Sequence, residues 1–539
     1  MLKFPGLSTK NRFNANYFIH FDSTPYFAIF LICVGILLRL SQYFFNRSLW
    51  LDEAFIATNF LYKPWGEILR PPMDYSATMM VPIGFMATTK IMTTLFGNND
   101  MTLRLFPLLV SLISIPLFYK LAGRILPTQG VLAAVYLFCL SSPLIYQSSE
   151  FKPYTNDVAF IILAAILPQS TQDGMITTSN MTLWAVFGAA AVWFSFPSAF
   201  VLASVGTYLI LEQAKQKKWK IVFGLVAVSA VWLASFAWQY RLSTGDGVEN
   251  SAVGQWIIQF WDDKGAFMPP LSPFDKFIEW LVASFINLFL DPGGWIVMII
   301  PAYLFLSGCI FMFIRNRRAF FFLIFPAILA AAASHFQLYP FSGRMLFFFL
   351  PAILLMIAEG ITRFASLLKH PALIVAAQIV LLAALTNYRP GHHTRQEMKL
   401  VLEYVQIHMQ PQDTLYIFYA AEPAFRYYAS TYGFDYHRCN IIVPIPKKEH
   451  VDEIDYFRSK LGLRPVSASE TNCILGTSAL LEPSIAELEK IKHTKQRVWF
   501  IFSHAYWTED DFVKYLNQSA KQLDKIIQVG SAAYLYEMP

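Results

Sequence analysis

Two adjacent carboxylates, Asp52 and Glu53, follow a long apolar segment within the stretch SLWLDEAFIAT, and Trp50 precedes them. No Lys or Arg lies close behind them. Desolvation near lipid raises the pKa of a carboxylate and nearby cations lower it, so both effects together can poise the group for proton transfer. A carboxylate in that state can take a proton from a hydroxyl group as a general base. The pair is therefore a candidate catalytic site, although acids here could also cap the following helix.

A second group of polar residues lies in the segment YQSSEFKPYTNDVAF, which contributes Glu150, Lys152, Tyr154 and Asp157. The two carboxylates are further catalytic candidates, whereas Lys152 and Tyr154 are candidates for substrate binding. A helix-capping role for the acids and a snorkelling position for the lysine are the simpler alternatives.

Basic residues near the same segments could stabilise the charge of a leaving phosphate. Arg is suited to that task because its planar group binds two phosphate oxygens at once. The candidate cations are Lys152, Arg344, Arg104 and Lys90. Tyr339 precedes Arg344 in the segment HFQLYPFSGRMLFF and is a further candidate for substrate binding. A simple position at the membrane interface is the alternative for Arg344.

The composition places these groups in a membrane protein. Of the 539 residues, 55% are hydrophobic and 14% are charged, whereas soluble proteins contain about 25% charged residues. The formal net charge of +6 is spread along the chain, so it does not predict binding to nucleic acid. We therefore expect an integral membrane protein with the lipid bilayer as a partner.

Eleven apolar segments are predicted to span the membrane as helices. They lie near residues 25–45, 103–122, 129–147, 157–169, 181–196, 197–213, 220–238, 294–314, 319–334, 345–366 and 371–387. Short basic segments stay cytoplasmic. Five basic clusters, near residues 3–12, 120–124, 215–220, 315–318 and 363–369, fall on one side if the N-terminus is cytoplasmic. The C-terminus and Asp52 then lie on the outer side of the plasma membrane. Residues 1–24 are too polar for a signal-peptide core, so the first span is predicted to be retained, with Arg39 reaching toward the headgroups.

Two further apolar segments, residues 77–97 and 277–290, would reverse part of this arrangement if they crossed the membrane. We therefore predict that both lie in the outer interface, with Lys90 and Glu279 facing water. The outer loop of residues 46–102 also contains an amphipathic stretch after the acidic pair. That stretch is predicted to rest on the membrane surface.

The chain changes character after its last apolar segment. Helical patterns then alternate with buried-strand patterns such as DTLYIFY, QRVWFIFSHAYW and SAAYLYEM. This alternation predicts a small outer α/β domain over residues 388–539, after a membrane domain over residues 1–387. From its position alone, the outer domain is predicted to cover the mouth of the site or to select an acceptor.

Few side chains of the outer domain are candidates for chemistry. Its sequence contains neither a Gly-rich phosphate loop nor a nucleophile elbow. Cys439 and Cys473 both fall here, where an oxidising outer compartment permits a disulfide between them. His504, in the stretch FSHAYW, is predicted to be a core or strand-end residue.

Several ordered motifs resemble those of the C-type (GT-C) glycosyltransferases of membranes, in particular glycosyltransferase family 39 and its relatives. Those relatives include protein O-mannosyltransferases and the aminoarabinose transferase of lipid A. The resemblance extends over residues 25–390 and rests on LWLDEAF, DYSATMMVPIGF, GNNDMTLRLFPLL, YQSSEFKPYTNDVA and YPFSGRMLFFFLP. One departure concerns Pro71 and Pro72, which lie upstream of the helix that such prolines directly precede in the family.

The resemblance implies a polytopic α-helical GT-C fold and an enzyme that transfers a sugar, with inversion, from a polyprenyl-phosphate carrier to an acceptor. It implies Asp52 as the general base, with Glu150 or Asp157 positioning an acceptor or a metal. Lys152 and Arg344 would hold the phosphate of the carrier. No cofactor is certain: a divalent metal is left open, and the acceptor could be a lipid, a polysaccharide or a protein.

Two other functions remain as alternatives. One is a polymer ligase that uses a lipid-diphosphate donor, and the other is a transporter of lipid-linked sugars. Transporters place ionisable residues near the middle of the membrane and often contain repeated halves. Here the acids lie in outer loops and no repeat is evident in the sequence, which favours an enzyme.

Overall fold

A computed structural model describes residues 24–69, 74, 81–169, 176–244, 252–366, 371–389, 391–445, 452–505 and 508–539. Up to residue 389 the described residues form helices and their connections, and the remainder contains a mixed β-sheet. A helical part followed by a C-terminal part with a sheet confirms the predicted fold class, and the domain boundary between residues 387 and 388 stays a prediction.

The helices of the first part follow one another with short connections. They are α1 (Thr24–Phe44), α2 (Leu51–Tyr62), α3 (Trp65–Ile68), α4 (Ile83–Phe96), α5 (Asp100–Ile125), α6 (Thr128–Cys139), α7 (Ser142–Gln147), α8 (Tyr154–Gln169), α9 (Thr178–Ala191), α10 (Ser198–Lys215), α11 (Trp219–Thr244), α12 (Ala252–Asp263), α13 (Phe274–Leu290), α14 (Ile299–Arg315), α15 (Arg317–His335), α16 (Leu350–Ser366) and α17 (Pro371–Leu385).

A helix lies at each of the eleven predicted membrane spans. These helices are α1, α5, α6, α8, α9, α10, α11, α14, α15, α16 and α17. Among the described residues, five stretches are long and apolar enough to cross a membrane: Pro25–Phe44, Asp100–Ile125, Trp219–Ser243, Arg317–His335 and Gly343–Phe364. The number of crossings and the orientation of the chain stay predictions.

The segments predicted to lie in the outer interface form α4 and α13. Helix α13 exposes apolar side chains such as Leu281 and Val282, whereas Trp280 and Leu288 on another side are buried against the protein. Such one-sided burial is expected of a helix in the membrane interface.

Arg39 does not extend toward the headgroups as predicted. Its side chain is fully buried and donates hydrogen bonds to Ser111 Oγ and to the carbonyl oxygens of Gly35, Phe138 and Cys139, at 3.0–3.3 Å. Three helices, α1, α5 and α6, are therefore tied together by one guanidinium. A buried cation is tolerated here because its donors are satisfied.

The outer domain is built on a five-stranded sheet with the order β2-β1-β3-β5-β4. Strand β1 pairs in parallel with β2 and β3, and β5 pairs antiparallel with β3 and β4. The strands are β1 (Thr414–Ile417), β2 (Cys473–Leu475), β3 (Arg497–Ser503), β4 (Lys521–Gln528) and β5 (Ser531–Glu537). The helices are α18 (Met398–His408), α19 (Glu422–Tyr428), α20 (Glu453–Leu461), α21 (Leu481–Thr494) and α22 (Thr508–Ser519).

Cys439 and Cys473 form a disulfide that closes a loop of 34 residues. Replacing both by Ala is expected to lower the free energy of unfolding by about 2–4 kcal/mol, because the cross-link restricts the unfolded chain. Denaturation of the purified full-length protein would measure this, with Cys33→Ala as a control because that thiol is free and exposed. Equal stability of the double variant and wild type would contradict the expected role.

Helix α2, which carries the acidic pair, belongs to the hydrophobic core of the outer domain. Its residues Ala54, Ile56 and Phe60, and Leu49 before it, share one buried cluster with side chains of the sheet and of α18 and α19. Every residue from Asp52 to Phe60 is buried. The part of α2 from Asp52 to Phe60 is therefore enclosed by protein, which corrects the prediction for that part, whereas the apolar residues Leu61, Tyr62 and Trp65 that follow are exposed.

Polar contacts reinforce this attachment. Asp100, at the start of α5, accepts a hydrogen bond from Tyr428 Oη at 2.7 Å and pairs with Lys399 Nζ at 2.9 Å. The hydroxyl oxygen of Tyr428 in turn accepts a hydrogen bond from the Leu49 amide at 2.8 Å. The outer domain thus holds the segment just before Asp52 in place.

Candidate active site

Asp52 lies in the first turn of α2 and pairs with two cations from different parts of the chain. Its Oδ2 atom is 2.5 Å from Arg344 Nη1 and 3.9 Å from Lys152 Nζ. The Asp52 side chain is 11% exposed and that of Arg344 is 28% exposed, so the ion pair is more accessible to solvent at Arg344 than at Asp52. Three segments therefore meet at one carboxylate: the predicted first outer loop (residues 46–102), the predicted second outer loop (residues 146–160) and the segment before α16.

The charge state of Asp52 follows from these neighbours. Burial acts to raise its pKa, but Arg344 and Lys152 lower it, and the net result is a pKa below the ordinary value. Burial lowers the pKa of Lys152, against the opposing influence of Asp52. A carboxylate whose pKa falls on folding stabilises the folded chain above its unfolded pKa, about 4. That contribution is lost as the pH falls through the lower, folded value.

Gly343 gives Arg344 its position. It has a φ of +50°, in the left-handed region that Gly adopts readily. A Cβ atom there would lie 2.8 Å from Asp291 Oδ2. Both the backbone conformation and the close approach of Asp291 therefore require Gly before the arginine.

Glu150 is fully buried and accepts a hydrogen bond from Trp50 Nε1 at 2.8 Å. The guanidinium carbon of Arg344 lies 5.3 Å from the centre of the Trp50 ring. Trp50 thus links the carboxylate of the second outer loop to the arginine that pairs with Asp52.

Glu53, the other member of the acidic pair, points into the protein. Its two oxygens accept hydrogen bonds from Arg104 Nε at 2.9 Å and Nη2 at 2.7 Å, and the Phe151 amide donates to the same carboxylate at 2.7 Å. The side chains of Glu53 and Arg104 are both buried. Glu53 and Arg104 are therefore occupied with each other, and their geometry supports a role in positioning α2 against α5 and the second outer loop.

Asp157, Tyr154 and Tyr339 are close to one another and next to this site. Tyr339 Oη donates to the Met345 carbonyl at 2.5 Å, and burial, with Asp157 and Tyr154 adding to it, raises the pKa of Tyr339 well above its ordinary value. Asp157 is buried, and its Oδ1 atom has no hydrogen-bond partner within the described part of the chain. A polar substrate group could engage that atom.

Lys90 is not part of the site. Its Nζ atom donates to the Lys63 carbonyl at 3.0 Å and lies 5.9 Å from the centre of the Phe60 ring. Phe60 is eight residues beyond Asp52 on α2, which corresponds to about 12 Å along the helix. The structure therefore separates Lys90 from the other candidates, and the side chain covers the end of α2 instead of facing open water.

Two residues of the outer domain that were not predicted as site residues lie at the site. The guanidinium carbon of Arg395 is 4.3 Å from the centre of the Trp50 ring, and the ring of His504 is 6.5 Å from it. Burial lowers the pKa of His504, and Asp52 opposes that shift. No local motif marks either residue, since only the packing of the sheet brings them to Trp50.

A cavity of about 400 Å³ adjoins Gly343, next to Arg344. It lies between α13, the connection from α12 to α13 and the segment before α16, and residues that line it include Lys264, Lys276, Trp280, Asn287 and Asp291. It combines cationic, carboxylate and amide groups with apolar side chains. Such a lining suits a ligand with a polar head and an apolar tail.

The divalent metal that the sequence left open stays open. Across the described residues, no three or more His, Cys, Asp or Glu side chains gather closely enough to hold a metal ion. Asp52 and Glu53 are instead paired with cations. No step of the proposed reaction is therefore assigned to a metal.

Comparison with known proteins confirms the predicted resemblance and the fold class. Residues 80–240 match the family model described as dolichyl-phosphate-mannose-protein mannosyltransferase. This stretch covers less than a third of the chain and includes the second outer loop but not Asp52. A search of curated protein sequences gives no match.

Solved structures overlap with nearly the whole chain. ArnT from Cupriavidus metallidurans, bound to undecaprenyl phosphate, superimposes with a TM-score of 0.51 at 11% identity, covering 94% of this chain and 97% of ArnT. An oligosaccharyltransferase from Archaeoglobus fulgidus, in complex with Zn and sulfate, superimposes with a TM-score of 0.47 at 14% identity, covering 94% and 72%. The chain is an integral membrane protein with the GT-C fold and a C-terminal sheet domain.

Proposed function

We propose that this chain is an inverting glycosyltransferase that moves a sugar from a polyprenyl-phosphate carrier to a hydroxyl or amine of an acceptor at the outer face of the membrane. The main observation in favour is the pairing of Asp52 with Arg344 and Lys152, at 2.5 and 3.9 Å. One carboxylate to accept a proton and two cations to bind a phosphate are the groups that such a transfer needs. The binding of undecaprenyl phosphate by ArnT, which shares the fold, is consistent with this donor class.

The proposed reaction breaks one bond and forms one. The acceptor atom attacks the anomeric carbon as the bond from that carbon to the phosphate oxygen of the carrier breaks, and the electron pair leaves with the phosphate. The proton of the acceptor passes to Asp52. Arg344 and Lys152 stabilise the negative charge that develops on the phosphate. Asp157 and Tyr339, next to the site, are suited to orient the acceptor.

The same contacts give donor binding a second effect. Without substrate, Arg344 and Lys152 keep the pKa of Asp52 low, which makes it a weak base. A donor phosphate competes for both cations, so they no longer hold the carboxylate as strongly. Burial acts to raise the pKa of Asp52, and with the two cations engaged elsewhere this effect is less opposed, so the pKa rises. Donor binding therefore activates the base, and we propose that the donor binds before the acceptor reacts.

The polymer-ligase alternative uses the same carboxylate and cations and differs in the number of phosphates on the donor. The transporter alternative has less support. Asp52 and Glu150 gather in connections between helices or at their ends, whereas coupled transport places such groups midway along interrupted helices.

The proposal is tested by incubating the purified full-length protein in lipid with a panel of polyprenyl-phosphate sugars and following release of the free carrier. Release that depends on the protein and on an acceptor supports the proposal. Movement of the intact lipid-linked sugar between leaflets without release of the carrier would favour a transporter and overturn the proposal.

Arg344→Gln and Lys152→Met are each expected to weaken binding of polyprenyl phosphate by about tenfold or more, because each removes a charge-assisted contact. Binding of a labelled polyprenyl phosphate to the reconstituted protein measures the effect. Arg317→Gln is a matched control, since this exposed arginine lies over the ring of Phe313 at the start of α15. Equal affinity of the control and both site variants would remove these cations from the donor site.

A further inference from the structure

Arg395 holds its guanidinium between two aromatic rings at the edge of the site. The guanidinium carbon is 4.3 Å from the centre of the Trp50 ring and 4.9 Å from that of the Tyr146 ring. Cation–π contacts of this kind fix the plane of the group while leaving its N–H edge available. The residue lies in the segment that connects α17 to α18 and is exposed.

The N–H groups of the Arg395 guanidinium are unpaired within the part of the chain that the structure describes. Among the described residues, no hydrogen bond or ion pair involves its guanidinium, whereas Arg104 is fully engaged with Glu53 and with the backbone. A planar group with an open N–H edge is suited to bind two oxygens of one phosphate.

The backbone of Arg395 is held by the hairpin between β4 and β5. The Glu397 amide donates to the Val529 carbonyl at 2.9 Å, and a Cβ atom on Gly530 would lie 2.2 Å from the Arg395 carbonyl oxygen. Gly530 has a φ of +63° and leaves room for this contact. The outer domain therefore presents the side chain in a defined place.

Arg395 and Arg344 contact the same indole. Their guanidinium carbons lie 4.3 and 5.3 Å from the Trp50 ring centre, so the two groups are at most about 10 Å apart. His504, at the end of β3, approaches the same ring. Only Arg344 of these two arginines is paired with Asp52.

We infer that Arg395 is a second phosphate-binding position, separate from the position formed by Arg344 and Lys152, for a substrate group that bears its own phosphate. This inference rests on the proposed function, which assigns the first position to the carrier phosphate adjacent to the sugar. The second phosphate comes either from a lipid-diphosphate donor or from the acceptor. Both sources present the same chemistry to the guanidinium.

Three affinities of the reconstituted full-length protein test the inference: for polyprenyl monophosphate, for polyprenyl diphosphate of the same chain length, and for inorganic phosphate in the presence of saturating monophosphate. Arg395→Gln is expected to leave the first affinity within twofold of wild type. It is expected to weaken the affinity for either the diphosphate or inorganic phosphate by about tenfold or more, since a charge-assisted contact is lost. Weaker binding of the diphosphate assigns the second phosphate to the donor, and weaker binding of inorganic phosphate assigns it to the acceptor.

Two further variants make the result decisive. Arg395→Lys keeps the charge but not the planar fork, and it is expected to recover only part of the affinity. Arg389→Gln removes an arginine from the same connecting segment and is expected to change none of the three affinities. The inference would be overturned if Arg395→Gln bound both the diphosphate and inorganic phosphate as the wild type does, or if it lost affinity equally for all three ligands. Failure of the wild-type protein to bind monophosphate would instead overturn the proposed function.

Discussion

Asp52→Asn is expected to lower turnover by about 10²–10⁴-fold, the usual contribution of a general base, while polyprenyl phosphate binds more tightly than to the wild-type protein. The second effect follows from the ion pairs. Asp52 competes with the donor phosphate for Arg344 and Lys152, and an uncharged amide competes less. A gain in affinity of about tenfold corresponds to the loss of one competing charged contact. Single-turnover release of the carrier and equilibrium binding of the carrier measure the two effects separately.

The combination of slower turnover and tighter binding distinguishes a base from a structural residue. A variant that is merely misfolded loses both turnover and binding. Asp435→Asn provides a comparison and is expected to change neither turnover nor binding, because Asp435 is a solvent-accessible acid of the outer domain paired with Arg438. Wild-type turnover by Asp52→Asn would remove Asp52 from the role of base, and weaker donor binding would contradict the competition described above.

Glu53→Ala is expected to destabilise the protein by about 3–5 kcal/mol, because it leaves the buried Arg104 without its partner. Both side chains are at most 2% exposed, and the carboxylate accepts two hydrogen bonds from Arg104. The yield of folded protein in detergent and its apparent melting temperature measure the effect. Donor affinity of the protein that does fold is expected to change little, since Glu53 has no contact with Lys152 or Arg344 among the described ion pairs.

The double variant Glu53→Leu/Arg104→Met completes this experiment. Replacing a buried ion pair by apolar residues of similar size is often neutral or stabilising, so the double variant is expected to be more stable than Glu53→Ala. Full stability of Glu53→Ala with strongly reduced donor binding would contradict a positioning role and return Glu53 to the reacting groups.

The sequence predicted the helices because they depend on local patterns, and the resemblance to GT-C enzymes implied that Asp52, Lys152 and Arg344 belong to one site. Apolar segments of sufficient length predict helices wherever the chain crosses lipid. Asp52, Lys152 and Arg344 follow or precede such helices on one predicted side, and the structure brings them together. The resemblance to GT-C enzymes also rested on the order of these motifs, which does not require knowledge of the packing.

Other features depend on contacts between distant residues and could not be read from the sequence. Adjacent residues of a helix point in different directions, so Asp52 faces the cations of the site while Glu53 faces Arg104. Arg395 follows Trp50 by more than 300 residues, and no motif joins them. Burial of α2 could not be foreseen either, because an amphipathic pattern is the same whether lipid or protein covers its apolar face.

The place of α2 limits how the outer domain can be exchanged. Leu49, Ala54, Ile56 and Phe60 fill the interior of that domain, yet they belong to the loop that carries the proposed base. A chimera that replaced residues 388–539 alone would leave these side chains facing a foreign interior and would displace Asp52. A graft of the outer domain therefore has to include residues 49–60 together with residues 388–539. The smallest unit that can be transplanted is discontinuous in the sequence.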